Sequence, residues 1–146
     1  MSLKNFLDEQ FVGNLYQISL SKGDVFRGKF DGIDHEKFFV IAGLSQDKIF
    51  ICSVFINSNI PDFIFKKQEL LNLQVHIKGN KYKFLQHDSF ISCNTQLKLK
   101  FSDIYNWIDN KRCQYVGKLD NEDLNNIKTT LIQSGLLTQK EIKLYF

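Results

Sequence analysis

The sequence predicts a mainly β domain with helices attached (α+β), in which residues 23–99 form a small, strongly twisted barrel. Apolar residues change from helical spacing to alternation after Gly23. About five or six short strands follow, and such a number closes a small barrel better than a two-sheet sandwich, which needs about seven. The chain contains 14 Phe, whose large rings fill the few inward positions of a small β core.

Length and composition predict a single cytoplasmic domain over residues 1–146. No apolar run approaches the roughly 18 residues that a membrane span needs, and the first residues lack the basic and then apolar order of a secretory leader. We therefore expect no membrane contact. Cys52, Cys93 and Cys113 are isolated, which favours free thiols in a reducing compartment over disulfides or a zinc site.

An amphipathic helix is predicted for the N-terminal extension, residues 1–21. Its apolar residues recur at helical spacing and would share one face. They are Leu3, Phe6, Leu7, Phe11, Leu15 and Ile18.

Six strands are predicted from apolar segments that are bounded by turn residues. Their ranges are 25–30, 37–42, 48–56, 73–77, 88–93 and 115–119. The second is almost wholly apolar, which is typical of a strand buried on both faces. Asp31-Gly32 predicts a turn before it. The stretch 61–71 is less regular, and a helical turn is expected around 67–71.

Capping residues predict three helices towards the C-terminus. Ser102-Asp103 is expected to cap a short helix ahead of the last strand. Asp120 is a good N-cap for a longer helix, which should end at Gly135 because glycine readily adopts the left-handed conformation after a helix. Thr138-Gln139-Lys140-Glu141 has the form of a capping box, so a final short helix is expected in the segment 138–146.

A basic segment lies between residues 66 and 100. Seven Lys stand there against Glu69 and Asp88, an excess of five positive charges in a chain whose formal net charge is +3. Such a segment can follow a phosphate backbone. Lysines that protect a sheet edge from aggregation explain it equally well.

Several short motifs follow one another along the chain. They are Gly23-Asp24, Phe38-Phe39-Val40-Ile41, Ile56-Asn57-Ser58, Asp88-Ser89 with Gln96 behind it, and Gly117-Lys118-Leu119 before a helix. No one of them is specific, but their order resembles the MazF/PemK family of bacterial growth-inhibiting toxins, over residues 22–137.

The resemblance implies an SH3-like barrel, a fold shared with the gyrase poison CcdB. It also implies a sequence-selective endoribonuclease that cuts single-stranded RNA without a metal or any other cofactor. Toxins of this family are usually homodimers that an antitoxin holds inactive. The resemblance therefore implies three partners: single-stranded RNA, an antitoxin protein and a second copy of the chain.

One position departs from the family pattern. The family's signature arginine stands in an Arg-Pro pair before the second strand, where this chain has Glu36-Lys37. Ser58, or its neighbour Asn57, falls near the family's hydroxyl position. Because the arginine is replaced, a second hypothesis is a catalytically inactive barrel that binds a protein or nucleic acid partner. A third is a structural or regulatory component without nucleic acid contact.

Four residues are candidate catalytic groups for RNA cleavage, which needs a base, an acid and cations for the phosphate. His35 is the candidate base or acid, because imidazole exchanges a proton near neutral pH. Lys37 is expected to face the same side and to bind phosphate. Arg27 is expected to replace the missing arginine from the adjacent strand, and Ser58 to donate to a phosphate oxygen. We hypothesise that the four line one cleft.

Candidate RNA contacts come mainly from the basic segment. They are Asn57, Lys66, Lys67, Lys81, Tyr82 and Lys83. Tyr82 lies between two lysines, so we expect it to be exposed and able to stack on bases. Phe63 and Phe65 are expected in the core, because Ile64 interrupts their stripe.

His87-Asp88-Ser89 contains the residue types of a catalytic triad. Consecutive strand residues point to opposite faces of a sheet, so these side chains cannot form the relay that a triad requires. We therefore exclude a triad at this position.

Overall fold

The computed structural model describes residues 20–30 and 35–146. The apolar residues that predict the N-terminal helix, and the Asp31-Gly32 turn, lie outside this part of the chain. The elements in chain order are β1 (Asp24–Gly28), β2 (Lys37–Leu44), β3 (Phe50–Asn57), α1 (Asp62–Phe65), α2 (Gln68–Leu71), β4 (Gln74–Ile77), β5 (Ser89–Lys100), α3 (Phe101–Asp109), β6 (Cys113–Lys118), α4 (Asn121–Gln133) and α5 (Gln139–Tyr145).

The six strands form one antiparallel sheet in the order β4-β5-β3-β2-β1-β6. The predicted α+β class is therefore confirmed. The predicted barrel is not observed, because β4 and β6 are the two edges of the described sheet and do not pair with each other. The loop between β4 and β5, residues 78–88, contacts β6 by side-chain packing instead. Phe84 lies so close to Gly117 that a Cβ added there would be 2.7 Å from its ring.

Strand β2 lies inside the sheet and is buried on both faces, as its apolar run predicts. On one face, Val40 and Ala42 belong to a core that α4 and α5 cover with Ile127, Leu131 and Tyr145. The opposite face of β2 belongs to a second core, which α3 covers. The sheet is thus a layer between two helical layers.

Aromatic rings fill the second core. Phe26 and Phe39 stack with their ring centroids 5.5 Å apart. Phe30 meets Phe39 and Trp107 edge to face, at 5.6 and 5.3 Å between centroids. Burial of each such ring contributes roughly 1.5–3 kcal/mol, and edge-to-face contacts add to it. Five of the 14 Phe in the sequence belong to this core or pack against it.

The predicted caps of the C-terminal helices are confirmed. The Asp123 amide donates to Asp120 Oδ1 at 2.9 Å, which starts α4. Gly135 follows its C-terminus with a φ of +74°. The Thr138 and Glu141 side chains each accept from the other's amide, at 3.1 and 3.0 Å, which starts α5. Earlier in the chain, α3 begins at Phe101, slightly before the predicted cap.

Two differences from the predicted elements concern polar or exposed side chains. Strand β5 runs to Lys100 rather than to Cys93, because its second half alternates lysines with leucines and keeps pairing with β3. The prediction that Phe63 and Phe65 are core residues is wrong. They are 60% and 59% exposed, because the short helix α1 buries Ile64 between them.

Every helix among residues 20–30 and 35–146 is too short or too polar to cross a lipid bilayer. The three cysteines, Cys52, Cys93 and Cys113, are buried and form no disulfide. Burial raises the pKa of the first two thiols to about 12 and that of Cys113 to about 11. Thiolates are therefore scarce at neutral pH.

Native protein at about pH 8 is expected to resist alkylation by iodoacetamide, because the thiolate is the reacting form and the three sulfurs are buried. The same protein in denaturant should take up three carbamidomethyl groups, one for each cysteine. Intact mass spectrometry measures both states. Rapid alkylation of a folded sample would contradict the buried positions.

Asp24 is a nearly buried carboxylate at the start of β1. Its oxygens accept from the Ser21 amide at 2.8 Å and from the Ser21 hydroxyl at 3.2 Å. Lys118 Nζ lies 3.9 Å from it on β6. Burial raises the pKa of this carboxyl, and the hydrogen bonds from Ser21 and the charge of Lys118 only partly offset the rise.

Because the pKa of Asp24 is higher in the folded than in the unfolded chain, the folded state holds the proton more tightly. The contribution of this group to stability therefore increases as the pH falls through its raised pKa. We expect the free energy of unfolding of the wild type, relative to Asp24→Asn, to increase as the pH is lowered from about 7 towards the ordinary aspartate pKa of about 4. Urea denaturation at each pH measures it, and a difference that is flat or of opposite sign would contradict the burial of a charged Asp24.

Candidate functional site

The antiparallel order brings one end of each of four strands to the same end of the sheet. This end is here called the sheet edge and is distinct from the edge strands β4 and β6. The C-terminal ends of β1 and β3 meet the N-terminal ends of β2 and β5 there. A cleft of about 580 Å³ lies at this edge. Its polar lining includes Arg27, His35, Lys37, Asn57, Ser58 and His87.

All four candidate catalytic residues thus line one cleft, together with Asn57, although the sequence separates them by up to 31 positions, from Arg27 to Ser58. Arg27 comes from the end of β1, His35 and Lys37 from the start of β2, and Ser58 from the segment after β3. Their roles in catalysis stay predictions.

Arg27 forms an ion pair within the cleft. Its Nε lies 2.9 Å from Glu36 Oε2, and both side chains are partly exposed. Glu36 therefore orients the guanidinium. The contact uses Nε, whereas the terminal Nη groups carry four of the five N–H donors that a guanidinium has in total. An arginine held in this way still offers a planar fork to an anion.

Lys37 is held by two contacts. Its Nζ donates to Asn57 Oδ1 at 2.9 Å and lies 5.0 Å from the centre of the Phe55 ring. An ammonium has three donors, so the bond to Asn57 leaves two. The predicted RNA contact Asn57 thus acts, among the described residues, as a positioner of Lys37.

The loop 78–88 supplies a further wall of the cleft, with Phe84, Leu85, Gln86 and His87. Nδ1 of His87 lies 3.0 Å from the Asp88 carbonyl oxygen. A carbonyl oxygen only accepts, so this contact is a hydrogen bond when Nδ1 carries the proton. In that tautomer, Nε2 of a neutral ring is the basic nitrogen.

The side chains of residues 87–89 form no triad, although strand alternation is not the reason, because β5 begins only at Ser89 and the other two residues lie in the loop 78–88. Asp88 accepts from the Gly79 amide at 2.9 Å and contacts His76 at 3.1 Å, and the Gly79 bond lowers the pKa of its carboxyl. Ser89 Oγ donates to the His87 carbonyl at 3.2 Å rather than to its ring. His87 therefore lines the cleft and takes no part in a triad.

A polar network fixes the loop to the N-terminus of α4. Lys81 Nζ lies 2.9 Å from carboxylate oxygens of both Asp120 and Asp123. Tyr82 Oη donates to Asp123 Oδ2 at 2.5 Å and accepts from the Asp120 amide at 3.0 Å. Burial and the bond to Asp123 raise the pKa of Tyr82, and both carboxylates raise the pKa of Lys81.

This network corrects one expectation. The prediction that Tyr82 is exposed is wrong, since the ring is partly buried and stacks on Phe84 with centroids 5.3 Å apart. Its hydroxyl and the Lys81 ammonium are engaged within the chain. Lys81 and Tyr82 therefore affect the cleft indirectly, because they hold the loop 78–88, and His87 at the other end of this loop lines the cleft.

The other predicted RNA contacts, Lys66, Lys67 and Lys83, are exposed and do not line the cleft. Lys98, which belongs to the same basic segment, forms an ion pair of 2.6 Å with Glu141. The basic segment therefore does not form one continuous surface. Within the described residues, no group of three or more His, Cys, Asp or Glu is placed to hold a metal ion.

Tyr82→Phe tests how the loop is held, because it removes the hydroxyl but keeps the ring that stacks on Phe84. Asp123 would lose a donor in a nearly buried position, which costs about 1–3 kcal/mol of the free energy of unfolding. Amide hydrogen exchange over residues 78–88 should accelerate. Tyr115→Phe, at an exposed tyrosine of β6, is the matched control and should change neither. Unaltered exchange in Tyr82→Phe would show that the network does not hold the loop.

Among the cleft residues that the sequence does not predict as site residues, His87 and Glu36 bear on the chemistry most directly. In the sequence, His87 belongs only to an excluded triad and Glu36 only to a departure from the family motif. The signal for His87 was its place in a polar loop before a strand, which many solvated histidines share.

Comparison with models of protein families finds no match to this chain, and comparison with curated protein sequences finds none either.

Proposed function

We propose that this protein is a toxin-like endoribonuclease of the MazF/PemK type, which cleaves single-stranded RNA in the cleft at the sheet edge without a metal ion. The observation that carries the proposal is the gathering of two histidines, His35 and His87, with two cations, Arg27 and Lys37, in one cleft. These are the groups that phosphodiester cleavage at a 2′-hydroxyl requires.

The chemistry needs one neutral and one protonated imidazole. One histidine removes the proton from the 2′-hydroxyl, and the 2′-oxygen attacks the adjacent phosphorus. The bond from phosphorus to the 5′-oxygen breaks, and the other histidine donates a proton to that oxygen. The products are a 2′,3′-cyclic phosphate and a 5′-hydroxyl. His35 and His87 are assigned these two roles, and the Nδ1 contact of His87 favours Nε2 as its reacting nitrogen.

Arg27 and Lys37 are assigned to the phosphate. Negative charge increases on the phosphoryl oxygens in the transition state, and fixed cations stabilise it more than mobile water does. Glu36 and Asn57 hold the two cations before the substrate binds. Ser58, exposed at the cleft, is assigned as a hydroxyl donor to the same oxygens.

The proposal extends to the fold family and the partners. A six-stranded antiparallel sheet whose β6 edge is packed by the loop 78–88 is compatible with a divergent SH3-like barrel, and helix α4 follows the Gly117-Lys118-Leu119 step as in the family. On this proposal, a homodimer and an antitoxin that holds it inactive are the partners.

A second candidate is a binding module that has lost catalysis. The observation that favours it is that both cleft cations already have partners, Arg27 with Glu36 and Lys37 with Asn57. Cations that are paired in this way are also found on surfaces that bind a ligand without cleaving it. The experiment below separates the two candidates.

Purified protein is incubated with end-labelled single-stranded RNA of mixed sequence, with and without EDTA. Cleavage should persist in EDTA and leave cyclic phosphate ends. His35→Gln and His87→Gln should each slow it roughly 10²–10⁴-fold, and Lys37→Ala roughly 10²-fold. His76→Gln is the matched control, because His76 is the remaining histidine of the chain and lies on β4 away from the cleft. Lys140→Ala, on exposed α5, is the lysine control.

Equal rates in the wild type and the cleft variants, or loss of cleavage in EDTA, would overturn the proposed cleavage. RNA binding without cleavage, weakened by Lys37→Ala and by salt, would favour the binding module. Induced expression adds a cellular measurement: the wild type should arrest growth, and His87→Gln should not.

A further inference from the structure

Two exposed phenylalanine rings stand beside the cleft. Phe63 and Phe65 are 60% and 59% exposed, the highest values among the large apolar side chains of the described residues. They belong to α1, which starts directly after Pro61, a residue of the cleft lining. The rings therefore continue the cleft surface along the chain.

The local backbone explains why both rings are exposed. Consecutive residues of a helix point about 100° apart, and Ile64 between them is 2% exposed. Anchoring Ile64 in the core thus directs one ring to each side of it, towards solvent. The amides of Ile64 and Phe65 both donate to the Pro61 carbonyl, at 3.0 and 3.3 Å, so the rings are attached to an ordered turn.

The charges around the rings are mixed. Lys66 and Lys67 follow directly and are exposed, while Asp62 precedes the rings and Glu69 lies in the next turn. A ligand held mainly by charge is therefore not favoured here. Aromatic faces with nearby lysines suit unpaired bases, because base stacking contributes most of the affinity and lysines meet the phosphates between bases.

We propose that Phe63 and Phe65 provide two stacking surfaces, one on each side of Ile64 and together called the platform, for the bases of a single-stranded RNA that extends out of the cleft. This inference rests on the proposed function, since the cleft is where the strand would be anchored. Among the described residues, neither ring stacks on another aromatic ring. The inference therefore assigns a role to two rings that have no aromatic partner within this part of the chain.

The experiment compares a short and a long ligand. Fluorescence anisotropy measures the affinity of a 2′-O-methyl dinucleotide, which spans the cleft alone, and of a 2′-O-methyl dodecamer, which reaches α1. The 2′-O-methyl group prevents cleavage. The double variant Phe63→Ala/Phe65→Ala should weaken dodecamer binding roughly tenfold or more and leave the dinucleotide unchanged.

Matched variants separate stacking from general apolar contact. Phe63→Trp/Phe65→Trp should restore dodecamer affinity, and Phe63→Leu/Phe65→Leu should not, because leucine lacks a flat π surface. Ile49→Ala/Leu144→Ala removes two other exposed apolar side chains, 41% and 39% exposed, and should have no effect. Phe63 and Phe65 are more exposed than buried, so thermal unfolding should be unchanged in their variants.

Equal dodecamer affinity in the wild type and the double alanine variant, with the dinucleotide still bound, would overturn the platform and leave the proposed function standing. No binding of either oligonucleotide would overturn both. Sedimentation velocity adds one more outcome: if Phe63→Ala/Phe65→Ala changes the oligomeric state but not RNA affinity, the rings form a contact between copies and the platform is overturned.

Discussion

The burial of β2 on both faces is the constraint on which the other elements depend. A strand whose successive residues, Phe39 to Ala42, are all apolar has no face to leave in water. The chain therefore has to supply cover on each side, with α3 and its aromatic partners on one and α4 with α5 on the other. Neighbouring strands pair with both edges of β2, so its side chains lie at the centre of two cores. β2 reaches solvent only partly and only at its two ends, at Lys37 and Phe38 on one side and at Leu44 on the other.

The cleft is a consequence of this arrangement. Helices cover both faces of the sheet, but the ends of the strands stay accessible to solvent. Polar side chains from four strands meet at these ends. One wall still has to come from outside the sheet, and the loop 78–88 provides it. Lys81 and Tyr82 hold that loop to the start of α4, where the Asp120 carboxylate also caps the helix by accepting from the Asp123 amide. The Asp120 carboxylate thus begins a helix and binds the loop, so the stability of α4 and the shape of the cleft are linked through Asp120.

The polar groups of the cleft are arranged before any ligand is present. Each cation has one partner that orients it, which reduces the ordering that a phosphate would have to impose on binding. Two histidines line the same cleft, and a reaction in which one proton leaves and another arrives needs two such groups. The exposed rings of α1 continue this surface away from the reacting groups. Chemistry and strand recognition would then be divided between the sheet edge and the short helix beside it.

Local sequence determined much of this protein: the six strands, the doubly buried β2, and the helix caps at Asp120 and Thr138 all follow from spacing and capping residues, which act within a few positions. Only the tertiary structure decided the rest. Whether the sheet closes depends on pairing between β4 and β6, which are distant in sequence and which a loop separates. The burial of Tyr82 depends on a carboxylate 41 positions away, and no local pattern encodes that distance. The same holds for His87, whose polar neighbours resemble those of any solvated loop until the fold places it in the same cleft as His35.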